Sequence, residues 1–224
     1  MFRALFAGLL LLMGGSAHAG TVMEIREQED SVSWTEMSGQ QARMSGVGDA
    51  YVLMDAASGQ FVAVFPNARQ IMDMSIDLPA QTENSNEPSP HRLEFNRLGK
   101  AEPIAGYPTE RYSVVANHRL CAELWLSREA LEYSGIRPFL RAFRRFYAQQ
   151  RALFESRGLQ YEACDDARQA AMERYEELGL PMRTRDANGN TLQEVLSIGT
   201  NVKLEEERFR IPDGYERINM EDLR

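Results

Sequence analysis

Two cysteines, Cys121 and Cys164, are the residues whose chemistry the sequence constrains most, because the chain contains two cysteines in all. An even, small cysteine number is usually paired in a chain that enters an oxidising compartment. A disulfide between them would close a loop of roughly 43 residues and stabilise the fold by about 3 to 4 kcal/mol. Two buried free thiols are the alternative, and the spacing excludes a C-x-x-C redox site.

Six arginines along one predicted helix form the second candidate group. Guanidinium groups match phosphate oxygens, so this helix could hold an anionic headgroup or touch a membrane surface. The alternative is pairing with acids of the next predicted helix, which is common for surface charges. The arginines are Arg137, Arg141, Arg144, Arg145, Arg151 and Arg157, and the acids are Glu162, Asp165, Asp166, Glu173, Glu176 and Glu177.

Apolar side chains supply the third group. Thioethers adapt to irregular apolar shapes, which suits a surface that holds lipid chains, although ordinary core packing is the alternative for the same residues. Aromatic residues at three- and four-residue spacing mark one face of a predicted helix. The predicted ligand-binding residues are Trp125, Phe139, Phe143, Phe146, Met72 and Met74.

Catalytic and metal-binding patterns are missing from the sequence. His91 and His118 fall beside a proline-rich loop and in a hairpin turn, without an H-x-x-x-H pair or a G-x-S-x-G elbow. The acidic runs at 205–207 and 165–166 are typical of solvated faces. We therefore expect a protein that is not an enzyme, with no cofactor and no metal.

The elements that must position these residues begin with short runs of β-forming residues separated by turn residues. A segment with three prolines, 79–90, has few apolar residues to bury and is predicted to be a mobile surface loop. The predicted strands are 22–26, 41–45, 51–55, 61–65, 71–76, 92–98, 109–115, 120–126, 182–185 and 191–198.

Two helices interrupt the strands. Pro138 to Arg157 has helical periodicity with proline in its first turn, and Cys164 to Leu178 is closed by Gly179. They form an insertion at about residues 128–179 without βαβ alternation, so the fold class is α+β, an antiparallel sheet with helices on one face. Both faces of the strand 120–126 are partly apolar, and we expect Cys121 and Trp125 to lie under the helical pair.

The first nineteen residues predict export. Arg3 precedes an apolar run of about ten residues, and Ala17-His18-Ala19 supplies a small-residue cleavage site. Residues 1–19 are thus a predicted signal peptide and 20–224 a single domain, located in the periplasm or secreted. The apolar run is too short to span a bilayer, and no cysteine follows the cleavage site for lipid attachment, so no stable membrane anchor is expected.

The net charge limits the classes of molecule that the protein is expected to bind. The chain carries a formal net charge of −8 at pH 7. A negative balance repels phosphate backbones, so nucleic acid is not an expected partner.

Three stretches of the chain have a distinctive combination of strand starts and turns: Tyr51-Val-Leu-Met-Asp through Pro66, Ile104 to Tyr112 followed by Cys121-Ala-Glu-Leu-Trp125, and Phe209 to Tyr215. Together they resemble a bacterial family, the domain of unknown function 4412. These motifs are mostly turns and strand starts, and the family brings no catalytic residues. The chain also resembles the LolA-like periplasmic half-barrel, which implies a curved antiparallel sheet with the inserted helical pair packed on its concave face.

Together these observations lead to one functional hypothesis and one alternative. The hypothesis is a periplasmic, non-enzymatic protein that binds a lipid or other hydrophobic ligand in an apolar groove. The alternative is a structural or protein-interaction domain of the cell envelope, whose groove is filled by its own helices and which acts through an envelope protein partner.

The predicted cleavage is directly testable. We expect the mature protein to begin at Gly20 and to fractionate with the periplasm, because the small residues Ala17 and Ala19 precede this position. Amino-terminal sequencing of the purified protein checks the position. An intact Met1, or recovery with the cytoplasm, would contradict the prediction.

Overall fold

A computed structural model describes residues 17–28, 31–46, 48–75 and 89–218 of the chain. The predicted signal peptide up to residue 16 lies outside these residues, as does the predicted loop 79–90 except for Ser89 and Pro90. Ala17 to Ala19, which the predicted cleavage would remove, form the start of the first strand.

Twelve strands of the described residues form one sheet. They are β1 (Ala17–Glu27), β2 (Val32–Ser38), β3 (Gln41–Ser45), β4 (Tyr51–Asp55), β5 (Gln60–Phe65), β6 (Gln70–Asp73), β7 (Leu93–Ile104), β8 (Tyr107–Ala116), β9 (Arg119–Ser127), β10 (Leu180–Asp186), β11 (Thr191–Glu205) and β12 (Glu216–Ile218).

The strand order is β12-β6-β5-β4-β3-β2-β1-β11-β10-β9-β8-β7. Strands β1 to β6 form one antiparallel meander, and β7 to β11 form a second. The two meanders join where β1 pairs with β11 along its whole length, from Ala17 opposite Glu205 to Glu27 opposite Gln193. The short β12 is an exception to the antiparallel pattern, because it pairs parallel to β6.

Strand β2 is absent from the sequence prediction. Thr35 and Met37 are buried on one face, whereas Trp34 on the other face is 47% exposed. The inward face therefore carries a polar threonine and the outward face a large aromatic residue. Since strand prediction relies on apolar residues alternating with polar ones, the mixed pattern concealed a strand next to the centre of the sheet.

The helices lie between β9 and β10. A short 3-10 helix, Glu129–Glu132, leads into α1 (Ile136–Ser156), and α2 (Ala163–Met172) is followed by the single turn α3 (Tyr175–Leu178). The helix predicted over 164–178 is thus two helices, interrupted at residues 173–174. The acids Asp165 and Asp166 occupy the first turn of α2, where negative charge favours the helix dipole.

The sheet curves around these helices. Helix α1 contacts β3 and β4, whereas α2 contacts β7, β8 and β9, near the opposite end of the strand order. Two neighbouring helices can reach both ends because the sheet is bent. The predicted α+β class, with a curved open antiparallel sheet and helices on its concave face, is confirmed.

A smaller core lies around Leu53, Val62, Val64 and Ile71 of β4, β5 and β6, where Ile211 and Tyr215 from the last described segment pack. Along β5, Val62 and Val64 alternate with Phe61 and Ala63, which belong to the opposite face. The chain after β11 thus covers the convex side of this end of the sheet.

Gly179 connects α3 to β10 at a point of close backbone approach. Its φ of +148° is a conformation that other residues rarely adopt, and an added Cβ would lie 2.6 Å from the carbonyl carbon of Ser127. Gly189, in the β10–β11 turn, also has positive φ but open space around it.

We expect Gly179→Ala to lower the free energy of unfolding by about 3 kcal/mol or more, because strain and a backbone clash add. Gly189→Ala should cost about 1 to 2 kcal/mol, because it adds strain alone. Equilibrium urea denaturation measures both. Equal losses for the two variants would show that the close approach to Ser127 does not constrain the fold.

Candidate functional site

A cavity of about 810 Å³ lies between the sheet and the helices. Part of its floor comes from residues that alternate along the strands and so share the concave face, such as Met23 and Ile25 of β1 and Ala122 and Leu124 of β9. Its roof comes from one face of α1 and one of α2. The apolar lining residues include Met23, Ile25, Met44, Val114, Ala122, Leu124 and Val195 from the strands, and Phe139, Leu140, Phe143, Ala171 and Met172 from the helices.

Helices α1 and α2 form a roof that we call the helical lid, and each helix is attached to a different half of the sheet. Helix α2 is joined to β9 by the disulfide Cys121–Cys164, whose Cα atoms lie 5.2 Å apart. Ala167 and Ala171 of α2 pack on Val114 and other apolar residues of β8 and β9. The disulfide favoured from the cysteine count is therefore present, and it holds α2 to the second meander.

Aromatic stacking attaches α1 to the first meander. The ring of Phe146 stacks on Phe61 of β5 with centroids 4.4 Å apart, and Phe143 lies 6.2 Å from the same ring. Stacked and tilted pairs of this kind contribute about 0.5 to 1.5 kcal/mol beyond their buried area. The lid is thus held by a covalent bond on one side and by packing on the other.

The contact between the helices is ionic. Arg144 and Arg141 of α1 lie 3.6 and 3.8 Å from the carboxylate of Glu176 in α3, and Arg151 lies 3.1 Å from the buried Asp166 of α2. Asp166 also accepts a hydrogen bond of 2.7 Å from the hydroxyl of Ser89. The alternative in which the arginines face the acids of the second helical segment is therefore observed for these residues.

Four polar side chains of the helices line the cavity: Arg144, Tyr147, Arg168 and Tyr175. Arg144 and Arg168 are 41% and 45% exposed, so their guanidinium groups lie at the boundary between cavity and solvent. Burial raises the pKa of the hydroxyls of Tyr147 and Tyr175 above the ordinary value. Both tyrosines are therefore neutral hydrogen-bond donors at physiological pH.

The predicted site residues are distributed over several places. Phe139 and Phe143 line the cavity, and Phe146 packs on Phe61 beside it. Met74 packs against the main core, and Met72 is half-buried on β6. Neither methionine is among the described residues that line the cavity.

Trp125 lies on the other face of β9 and is not among the described residues that line the cavity. It is almost fully buried and belongs to the main core, together with Ile136 and Phe139 of α1. Ala122 and Leu124 line the cavity instead, and the alternation along the strand turns Trp125 away from it. Cys121 still reaches α2 because β9 has a bulge between Leu120 and Ala122. A bulge interrupts the alternation of side chains along a strand, and the sequence pattern does not reveal its position.

The indole of Trp125 contacts basic side chains on that other face. The guanidinium carbons of Arg111, Arg183 and Arg185 lie 5.0 to 5.3 Å from the centre of its ring system. Arg183 also pairs with Glu194 and Glu102, and Arg111 pairs with Glu123. This tryptophan therefore combines burial in the main core with cation–π contacts to three arginines.

Several residues that line the cavity could not be identified from the sequence. Met23 and Met44 lie on predicted strands, but the sequence does not show that they share a face. The strand register shows it, because both residues lie opposite Thr35 of β2. Val195, Tyr147 and Tyr175 carried no signal beyond helical or strand periodicity.

Among the described residues, no group of three or more His, Cys, Asp or Glu is arranged to hold a metal ion. No described helix is long and apolar enough to cross a membrane.

Comparison with known proteins gave one family match. A family model described as "Domain of unknown function (DUF4412)" matches residues 6–215. No curated protein matches the chain.

Solved structures of MucB are similar in part. The crystal structure of MucB has 12% sequence identity and a TM-score of 0.39, with 89% of this chain and 58% of that chain covered. MucB in complex with MucA(peri) has 13% identity and a TM-score of 0.40, covering 90% and 56%. The Pseudomonas aeruginosa MucA/MucB complex has 12% identity and a TM-score of 0.40, covering 90% and 58%. The chain therefore spans little more than half the length of these chains.

The two attachments of the lid can be tested separately. In the double variant Cys121→Ser/Cys164→Ser, amide exchange in α2 should become faster than in α1, because the covalent link to β9 is lost. The sheet should stay folded, binding of a fluorescent apolar dye should rise, and the stability of the protein should fall by about 2 to 4 kcal/mol. Hydrogen exchange with mass spectrometry measures the helices one by one.

Phe146→Ala is the matched comparison, because it removes the stacking on Phe61 and should loosen α1 while α2 stays protected. If the native, unreduced protein reacts with a thiol reagent at both cysteines, no disulfide holds the lid. Equal loosening of both helices in both variants would show that the lid moves as one unit.

Proposed function

We propose that this chain, which belongs to the DUF4412 family, is a non-enzymatic protein that acts outside the cytoplasm and holds a hydrophobic ligand between its helical lid and the concave face of its sheet. The observation that carries the proposal is the cavity of about 810 Å³. Cavities for small molecules have volumes of about 300 to 1,000 Å³ and mostly apolar walls with a few polar groups.

Unfilled space inside a protein is unusual, and it therefore supports the presence of a ligand. Protein interiors are packed like organic crystals, with few voids larger than a water molecule. Here the side chains of Ile25, Met44 and Phe143 are only half-buried, and they border the space below α1 and α2. A ligand with an apolar body would complete the packing that the protein's own side chains leave incomplete.

The extracytoplasmic location is supported by two independent features. The first residues have the form of a signal peptide. The disulfide Cys121–Cys164 is of the kind that persists in oxidising compartments such as the periplasm and is rare in the cytosol.

A larger side chain in the cavity should weaken ligand binding. In Val195→Trp the larger side chain would extend from the floor into the cavity, because Val195 borders it on β11. We expect the affinity for the neutral apolar dye N-phenyl-1-naphthylamine to fall at least tenfold, which corresponds to about 1.4 kcal/mol. Fluorescence titration measures the dissociation constant.

Leu98→Trp is the matched control, since Leu98 on β7 is 52% exposed and is not among the described cavity-lining residues. It should bind the dye like the unaltered protein. If the unaltered protein binds no dye, or if both variants bind it equally well, the cavity is not the binding site. The alternative of an envelope interaction domain without a small-molecule ligand would then be favoured.

A further inference from the structure

Resting on the proposed function, we infer that the ligand is a single-chain amphiphile with an anionic head, of the class of long-chain fatty acids, whose chain fills the cavity while the head lies between Arg144 and Arg168. The two arginines come from different helices of the lid, and both line the cavity. An anion at this position would contact both helices at once.

In the described part of the chain, the arginines of α1 around Glu176 outnumber the carboxylates that pair with them. Arg141 and Arg144 share the single carboxylate of Glu176, at 3.8 and 3.6 Å, and neither distance is that of a close hydrogen-bonded pair. The neighbouring Arg137 pairs with Glu132 at 2.8 Å and donates to the backbone carbonyl of Glu176. Among the residues that the structure describes, two guanidinium groups therefore share one carboxylate here, in a chain whose net charge is −8.

The geometry of a guanidinium favours a carboxylate head. Its planar fork of N–H donors binds the two carboxylate oxygens side by side, and such charge-assisted bonds are roughly twice as strong as neutral ones. Arg168 pairs with Asp165 at 2.9 Å through one terminal nitrogen. Its remaining N–H groups provide further donors at the cavity boundary.

Tyr147 and Tyr175 add neutral donors to the same region. Both line the cavity from the helical side, and burial raises the pKa of each hydroxyl, so each retains its proton. A retained phenolic proton can be donated to an anionic oxygen. The polar groups that the helices present to the cavity are thus donors in every case.

One acid among the described lining residues argues for a competing ligand. Glu27 lines the cavity at the end of β1 and accepts a hydrogen bond of 3.0 Å from the hydroxyl of Ser33. It lies on the strand side, whereas both arginines lie on the helical side. A ligand with a cationic head would be favoured by Glu27 and disfavoured by the arginines, so ligands of opposite charge separate the two possibilities.

The test compares three ligands with the same twelve-carbon chain: dodecanoate, dodecanol and dodecylamine. Each is titrated against the full chain loaded with N-phenyl-1-naphthylamine, and loss of fluorescence reports displacement. We expect dodecanoate to displace the dye at a concentration at least tenfold lower than dodecanol, with dodecylamine the weakest. Added salt should reduce the advantage of dodecanoate, because charges at the solvent boundary are screened.

The double variant Arg144→Gln/Arg168→Gln should lose this advantage while dodecanol displaces the dye as before, which also shows that the cavity remains intact. Arg157→Gln, at the end of α1 and outside the described cavity lining, should behave like the unaltered protein.

Equal displacement by dodecanoate and dodecanol, or stronger displacement by dodecylamine, would overturn the inference and leave the proposed function standing. Failure of the unaltered protein to bind the dye or any of the three ligands would overturn both.

Discussion

The fold depends on covering the apolar concave face of one curved sheet with two helices that are attached to it at opposite sides. Helix α2 is linked to β9 through Cys121–Cys164, and α1 is packed on β5 through Phe146 and Phe61. The two attachments differ in kind, since the first is a covalent bond and the second is the packing of buried aromatic rings. The helices cover the face without filling it, and the remaining space is the cavity.

This arrangement explains why the boundary between the helices is charged while the space beneath them is apolar. Residues of α1 that point down contact Met23 and other core residues, whereas arginines on its side contact Glu176 and Asp166. Ion pairs at partly exposed positions contribute little to stability and are easily exchanged with solvent or with another anion. The pairs of Arg141 and Arg144 with the partly exposed Glu176 are therefore weak contacts of the lid. Arg151, in contrast, pairs with the buried Asp166, and a buried pair is costly to break.

The sequence predicted the parts of the fold that arise from local periodicity and chain chemistry. The aromatic spacing from Phe139 to Phe146 identified α1, and the two cysteines identified the link between sheet and helix. The residues of β9 that pack on α2 could not be predicted, because the bulge at Cys121 places this cysteine in the same cluster as Ala122 and Leu124. Strand β2 was missed because Trp34 lies on its exposed face. The cavity itself depends on strand register and sheet curvature, which no single segment encodes, so Val195 and Met44 could not be assigned to it in advance.

The central claim is that the space beneath the lid holds a hydrophobic molecule. Native mass spectrometry of the protein, purified from its own cells without detergent or organic solvent, tests this claim most directly, because it weighs the folded chain together with whatever remains bound. We expect a population heavier than the mature chain by the mass of one small amphiphile, which denaturation releases and organic extraction recovers. A single species at the mass of the mature chain, with nothing in the extract, would contradict the claim.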